Sequence, residues 1–246
     1  IEETLRIGRA ANVPVVMSHY KCAMPQNWGR SVETLRRLDE AAARQRVWVD
    51  VYPYAASSTV LMPDRLRDEV RVTVTWSVPH PEWQGKDLGE VAATWGCTRK
   101  EAAERLLPAG AIYHQMSEED VRRIIAHPRA MIGSDGLPHD GFPHPRLWGT
   151  FPRVLGHYAR ELGLIPMEEA VRKMTGLTAE VFGLKDRGVI RPGAHADLVL
   201  FDPAVVIDAA RFEDPMRPSP GIEQVWVNGE TVYRWGEGVT GARPGV

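Results

Sequence analysis

Two side chains stand at the ends of apolar runs and could ligate a metal ion. His19 closes Val13-Pro14-Val15-Val16-Met17-Ser18, and Asp135 closes Ala130-Met131-Ile132-Gly133-Ser134. Neutral imidazole and anionic carboxylate both bind zinc, and adjacent strand ends can present them together. A histidine or aspartate after a strand serves equally well as a cap or hydrogen-bond partner, so spacing alone leaves both readings open. Beyond Asp135 the loop crowds Gly136, His139, His144 and Arg146 together. Glycine there lets a backbone approach a ligand, and Arg146 offers a planar fork matched to a carboxylate. In the plainer reading the glycines and prolines only mark turns and the two histidines are solvated. Tyr52, ending another apolar run, and Ser57 and Ser58 just beyond could add hydroxyl donors, while Lys21 could add a second positive charge. Taken one at a time, each also fits a strand-end tyrosine or a solvated lysine.

Other reactive residue types weigh less. Cys22 has no CxxC partner and reads as a buried, idle thiol; Cys97 reads as structural. Two cysteines make no disulfide framework, so a reducing, cytoplasmic setting is expected. Trp76, Trp83 and Trp95 are expected to pack a small core. His80, His114, His127, His157 and His195 have no neighbours that would make a constellation, and no GxGxxG, GxxxxGK[ST] or GxSxG occurs.

The elements that must position these residues read as alternating strands and helices. Residues 1–11 have a helical pattern stopped by Asn12, and the run to His19 follows. Ser31 is placed to cap a helix carrying Leu35, Leu38 and Ala42. Val47-Trp48-Val49-Asp50-Val51-Tyr52 is a second strand, halted by Pro53. Ser117-Glu118-Glu119-Asp120 has capping-box form and opens a helix that Pro128 ends. The run 130–135 is a third strand, and helices are expected near 151–162 and 167–174. Unalternating apolar strands between helices predict a parallel sheet buried on both faces, an α/β fold. Between the second and third strands, about 59–110 is too long for a connection. It is expected to be an excursion with its own helices, one opened by the capping box Thr98-Arg99-Lys100-Glu101. From 188 onward, short strands at 188–190, 196–201 and 222–227 with the hairpin signal Asn228-Gly229 predict a small antiparallel β domain.

Composition bounds the function. With 30 Lys+Arg against 32 Asp+Glu the formal charge is −2, which argues against an electrostatic nucleic-acid binder. With 43% hydrophobic and 25% charged residues the chain has an ordinary globular composition, and no apolar run is long enough to span a membrane.

Several motifs together resemble the D-aminoacylases, the N-acyl-D-amino-acid deacylases of the amidohydrolase superfamily. They are Val15-Val16-Met17-Ser18-His19-Tyr20-Lys21, Asn27-Trp28-Gly29-Arg30-Ser31, Asp50-Val51-Tyr52-Pro53-Tyr54, Ala109-Gly110-Ala111-Ile112-Tyr113, Ile132-Gly133-Ser134-Asp135-Gly136-Leu137-Pro138-His139 and residues 146–156. The tail 188–198 resembles amidohydrolases more broadly. The resemblance implies the C-terminal portion of a metal-dependent (β/α)8 TIM-like barrel, residues 1–187, with a helical excursion at about 59–110. Residues 188–246 then belong to a small β-sandwich-type C-terminal domain. It implies zinc, one or two ions in the complete enzyme, held in part by His19 from the sixth strand. Asp135, from the eighth, would be the catalytic acid/base and able to touch the metal. It also implies that Lys21, Tyr52, Ser58 and Arg146 hold the amide and carboxylate of a small-molecule N-acyl-D-amino acid, with no nucleic-acid or membrane partner.

The family's His-x-His on the first strand, early cysteine ligand and fifth-strand histidine have no counterpart in this sequence. Eight βα units need about 250 residues, roughly 31 each, whereas excursion and tail leave room for about four. Together with an opening at Ile1 already in helical pattern, this predicts that the chain is the later half of a barrel, inactive without its N-terminal half. Two other readings stand beside it: a different amidohydrolase (hydantoinase, dihydroorotase or D-glutamate deacylase type), or a non-catalytic complementation half.

Overall fold

The computed structural model describes residues 1–245. Its centre is a three-stranded parallel sheet of β1 (Val15–Met17), β2 (Val47–Val51) and β6 (Ala130–Ile132), in the order β1-β2-β6. Val15 pairs with Val47 and Val49 with Ala130. All three strands begin and end within the expected runs, but β1 and β6 stop short of His19 and Asp135. Both residues have positive φ, 49° and 48°. That conformation breaks the ladder and turns the chain at the strand ends.

Helices α1 (Glu2–Ala11), α2 (Ser31–Ala42), α5 (Glu118–Ala126), α6 (Arg146–Arg153) and α7 (Met167–Met174), with α8 (Gly176–Phe182), complete this unit. Asn12 ends α1 in the left-handed conformation, as expected of a C-terminal stop. Leu5, Leu35, Leu38, Val47, Val49, Ile124, Ile125, Ala130 and Tyr158 are buried in one core between sheet and helices. Ser31 is not the cap of α2. It is the helix's first residue, fully buried, and Asp120 of α5 does the capping by accepting the N–H groups of Gly29 (2.8 Å) and Ser31 (3.1 Å). A carboxylate from another helix satisfies orphan donors and favours the positive end of α2, an arrangement no local pattern announces. Ser117 caps α5 by accepting the Glu119 N–H. Lys173 of α7 is wholly buried and donates to the carbonyls of His127 (2.5 Å) and Ala130 (3.1 Å), tying α7 to the start of β6. Burial pulls its ammonium down to about 8.

The excursion contains the helix expected after Thr98, α4 (Arg99–Leu106), with the full Thr98–Glu101 capping box, and a second helix, α3 (Leu88–Trp95). It is not simply helical. The helices lie on an antiparallel sheet of β3 (Ser57–Val60), β4 (Arg71–Ser77) and β5 (Ala109–His114), in the order β3-β5-β4. Val72, Val74, Leu88, Val91, Leu106 and Ala111 form its separate core, with Trp83, Trp95 and Cys97 packed at the margin. The alternation of β4 is masked because Val72, Thr73, Val74 and Thr75 are all buried.

The tail is one four-stranded antiparallel sheet, β7 (Leu198–Phe201), β8 (Ile222–Val227), β9 (Glu230–Arg234) and β10 (Gly238–Val239). Asn228 and Gly229 have φ of 49° and 83°, the left-handed pair that a tight hairpin turn requires. Residues 188–190 are not a strand, and Ile190 is exposed. Among the described residues, no helix is long and apolar enough to cross a membrane.

Candidate active site

Parallel packing brings the ends of β1, β2 and β6 to one edge, and the residues singled out from the sequence meet there. His19 Nε2 lies 3.5 Å from Asp135 Oδ1, and Asp135 Oδ2 lies 2.8 Å from Arg146 Nη1. The Arg146 guanidinium sits 4.6 Å from the centre of the Tyr52 ring, and Lys21 Nζ lies 5.5 Å from the same centre. Arg146 Nη2 donates to the Ser58 carbonyl at 3.2 Å. All six candidate site residues therefore belong to one contiguous cluster.

Burial gives the cluster its character. Arg146 is 1% exposed and Tyr52 2%. Desolvation raises the Tyr52 hydroxyl well above its ordinary range, so it remains a neutral donor. Desolvation also lowers Lys21, partly offset by the charge of Asp135. Arg146 Nε and the buried Ser58 Oγ have no hydrogen-bond partner, whereas Nη1 is taken up by the Asp135 carboxylate. Orphaned polar groups in a native pocket mark the place of a ligand's partners.

Sequence reasoning missed Asp50 and the role of a second residue. Asp50 accepts the backbone N–H of His19 at 2.9 Å and holds it in its turned conformation. The signal was a charge inside an otherwise apolar strand, which needs a partner when buried. The second is His144, which is not solvated: it is 2% exposed, its Nδ1 accepts the Arg146 N–H (3.0 Å) and its Nε2 donates to the Ala56 carbonyl (3.1 Å). It thereby fixes the first turn of α6, from which Arg146 projects. His139, by contrast, is exposed, with Nε2 3.7 Å from Asp140.

Burial, reinforced by Arg146, pushes His144 well below its ordinary value of 6.5, so the folded protein holds it neutral. The unfolded chain takes up a proton below pH 6.5 that the folded chain refuses. Stability is therefore complete above that pH and lost as pH falls beneath it, with a limiting slope of about 1.4 kcal/mol per pH unit for one proton. Melting temperatures measured from pH 7.5 to pH 5 are expected to drop more steeply for the native protein than for His144→Gln, which cannot titrate. Parallel curves would remove His144 as the cause.

His19 and Asp135 are spaced as two ligands of one zinc ion would be. Two donors at about 2.0–2.1 Å on one tetrahedral zinc stand about 3.3–3.4 Å apart. Their 3.5 Å separation matches two corners of such a site. Among the described residues, no group of three or more His, Cys, Asp or Glu could hold a metal ion. Cys22 is buried, and the polar groups acting on its thiol are Asp120, Thr34, Arg30 and Arg123, not His19 or Asp135.

The Amidohydrolase family profile matches residues 33–233. The chain belongs to the amidohydrolase family. Over 95% of its length this amidohydrolase is 57% identical to a D-aminoacylase of Alcaligenes xylosoxydans xylosoxydans, covering 48% of that protein. Over its whole length it is 51% identical to an N-acyl-D-aspartate deacylase of the same organism, covering 49% of it. The crystal structure of N-acyl-D-glutamate deacylase from Bordetella bronchiseptica, complexed with zinc and a phosphonate mimic of the tetrahedral intermediate, superposes with a TM-score of 0.92 at 53% identity. That match covers 94% of this amidohydrolase and 49% of the deacylase. The chain thus spans about half the length of the curated relatives it matches.

Proposed function

We propose that this amidohydrolase carries the later half of the active site of a zinc-dependent enzyme that hydrolyses the amide of N-acyl-D-amino acids. The observation that carries the reading is the junction His19–Asp135–Arg146, where a metal-suited donor pair shares one carboxylate with a carboxylate-suited fork. The relatives named above, a D-aminoacylase and two N-acyl-D-amino-acid deacylases, support it.

In this reading His19 and Asp135 contribute two of the zinc ligands. When bound, zinc polarises the acyl carbonyl and makes water a better nucleophile near neutral pH. Asp135 accepts the proton of the attacking water and returns it to the departing amine nitrogen. Arg146 receives the α-carboxylate through Nε, aided by Lys21 and the Ser58 hydroxyl. The Tyr52 ring supports the guanidinium and keeps water from its lower face. Fixing carboxylate and amide at two points leaves one hand of the α-carbon productive, which selects the D-isomer.

Residues 1–187 then form the later strands of a (β/α)8 barrel with its excursion. Residues 188–246 supply one layer of a β-sandwich, whose other layer lies elsewhere in a protein of the relatives' size. Residues 1–246 alone should hydrolyse nothing, because two donors rarely retain zinc.

The test uses the full-length protein containing this chain, loaded with zinc. Hydrolysis of N-acetyl-D-amino acids with little action on their L-isomers is expected. Turnover of hydantoins or dihydroorotate instead, or of no N-acyl-D-amino acid, would overturn the reading.

A further inference from the structure

Residues 133–145, between β6 and α6, form the loop that joins Asp135 to Arg146. Its base is pinched. A methyl carbon at Gly136 would stand 2.7 Å from Leu147 Cδ1, so the two arms touch beside the strand-end cluster. Its tip rests on the excursion. The Phe142 N–H donates to the Thr75 carbonyl at 3.2 Å, the Phe142 ring lies against Gly85, and Gly141 lies against Gln84.

At this tip the Asp140 side chain is 1% exposed. Neither of its oxygens has an aligned hydrogen-bond partner, and neither has the buried Thr75 hydroxyl. The excursion offers the carboxyl two donors, the Thr75 hydroxyl and the Trp76 indole N–H; the exposed His139, at 3.7 Å, and Arg146 are the charges acting on it. Burial pushes the carboxyl up from its ordinary value, and these four groups hold it down. Buried polar groups pair in folded proteins, and an enclosed carboxyl facing one hydroxyl and one indole N–H pairs with them.

The excursion is shaped to present both donors. The pairing of β4 with β5 shifts between Val74 and Trp76, where Thr75 and Trp76 together oppose Gly110. A bulge of this kind re-aims the side chains of its strand. Here the two converge: a methyl carbon at position 110 would lie 2.4 Å from Thr75 Oγ1 and 2.3 Å from Trp76 Nε1, so only glycine admits both. Trp76 accordingly stays out of the core that Trp83 and Trp95 flank.

We propose that Asp140 is a positioning residue: held by the Thr75 hydroxyl and the Trp76 indole N–H, it clasps the loop to the excursion and so sets Asp135 and Arg146 in register for the reaction. The proposal rests on the deacylase reading above. Asp140 touches no substrate. It acts through the backbone of its loop, whose far arm continues through His144 into the first turn of α6.

The test uses the zinc-loaded full-length protein with N-acetyl-D-methionine and its α-carboxamide. Asp140→Leu fills the space but leaves both donors without an acceptor. Its kcat/KM on the free acid should fall about 10- to 100-fold, the scale of a misplacement of about 1 Å. Preference for the free acid over the carboxamide should shrink with it, because Arg146 loses its aim. Asp140→Asn keeps an oxygen for the two donors and should stay within about threefold of the native value. Trp76→Phe keeps a ring and removes the N–H; it should lose about 3- to 10-fold, and should add little in the Asp140→Leu background. Hydrogen exchange of residues 136–145 in the metal-stripped protein, where nothing is hydrolysed, should quicken in Asp140→Leu and Trp76→Phe but not in Asp140→Asn. Native kinetics in Asp140→Leu, a loss that Asp140→Asn shares in full, or a loss that leaves acid preference and loop exchange unmoved would overturn this proposal and leave the deacylase reading standing. Should the leucine variant not fold, Trp76→Phe decides by the same measurements. Failure to hydrolyse any N-acyl-D-amino acid would overturn both.

Discussion

Asp135→Asn in the full-length protein is expected to lower kcat by about 10³- to 10⁴-fold, near the top of the range for losing a positioned acid/base. The substitution keeps the size of the side chain and an oxygen able to face Arg146 Nη1, but it removes the group able to take and return a proton. It also weakens the donor opposite His19 Nε2, now 3.5 Å away. A stability readout separates chemistry from folding. Arg146 is 1% exposed, and Asp135, roughly three-tenths exposed, is its one ion-pair partner among the described residues. Asp135→Ala should therefore destabilise the protein by about 2–3 kcal/mol, less than for a fully buried pair because water reaches the carboxylate. Adding Arg146→Met to Asp135→Ala should recover most of that loss, since no buried charge then lacks a partner. Denaturant titrations of the single and double variants check this. A kcat for Asp135→Asn within tenfold of the native value would remove Asp135 from the proton-transfer role.

Arg146→Met is expected to act on binding of the substrate carboxylate. Truncating one member of a desolvated charge contact costs about 2–5 kcal/mol, so kcat/KM should fall by at least about 30-fold and up to a few thousandfold. Arg146→Lys should restore little. A lysine cannot reproduce Nη2 on the Ser58 carbonyl, Nη1 on Asp135, contact with the Tyr52 ring and a donor toward a ligand at once. The decisive comparison is between an N-acetyl-D-amino acid and its α-carboxamide. The native enzyme should strongly prefer the free acid, and the methionine variant should treat the two alike. A variant that still discriminates would show that another group, Lys21 foremost, holds the carboxylate.

Both effects depend on a placement that sequence describes unevenly. The three apolar runs were legible as parallel strands because burial on both faces leaves no alternation. Helix boundaries at Asn12 and at Thr98–Glu101 followed from backbone rules local to those residues. The excursion was harder. Its helices carry capping signals, but β4 buries successive residues Val72 to Thr75 and so lacks the period-2 pattern of a half-exposed strand. The mistaken cap at Ser31 has the same origin, because its role passed to Asp120, 89 residues away.

By itself the sequence determined the chemical inventory. A histidine and an aspartate end apolar strands, an arginine follows in a Gly- and Pro-rich loop, and the motifs are those of an amidohydrolase. Their types and local turns are set by neighbours within a few residues. Only the tertiary structure decided what these residues do to one another. Parallel pairing of β1, β2 and β6 brings residues 19, 52 and 135 to one edge, and His144 fixes the helix start that buries Arg146 between Asp135 and Tyr52. Contacts between residues 30 to 120 positions apart depend on packing in a shared core, and local sequence pattern carries no record of them.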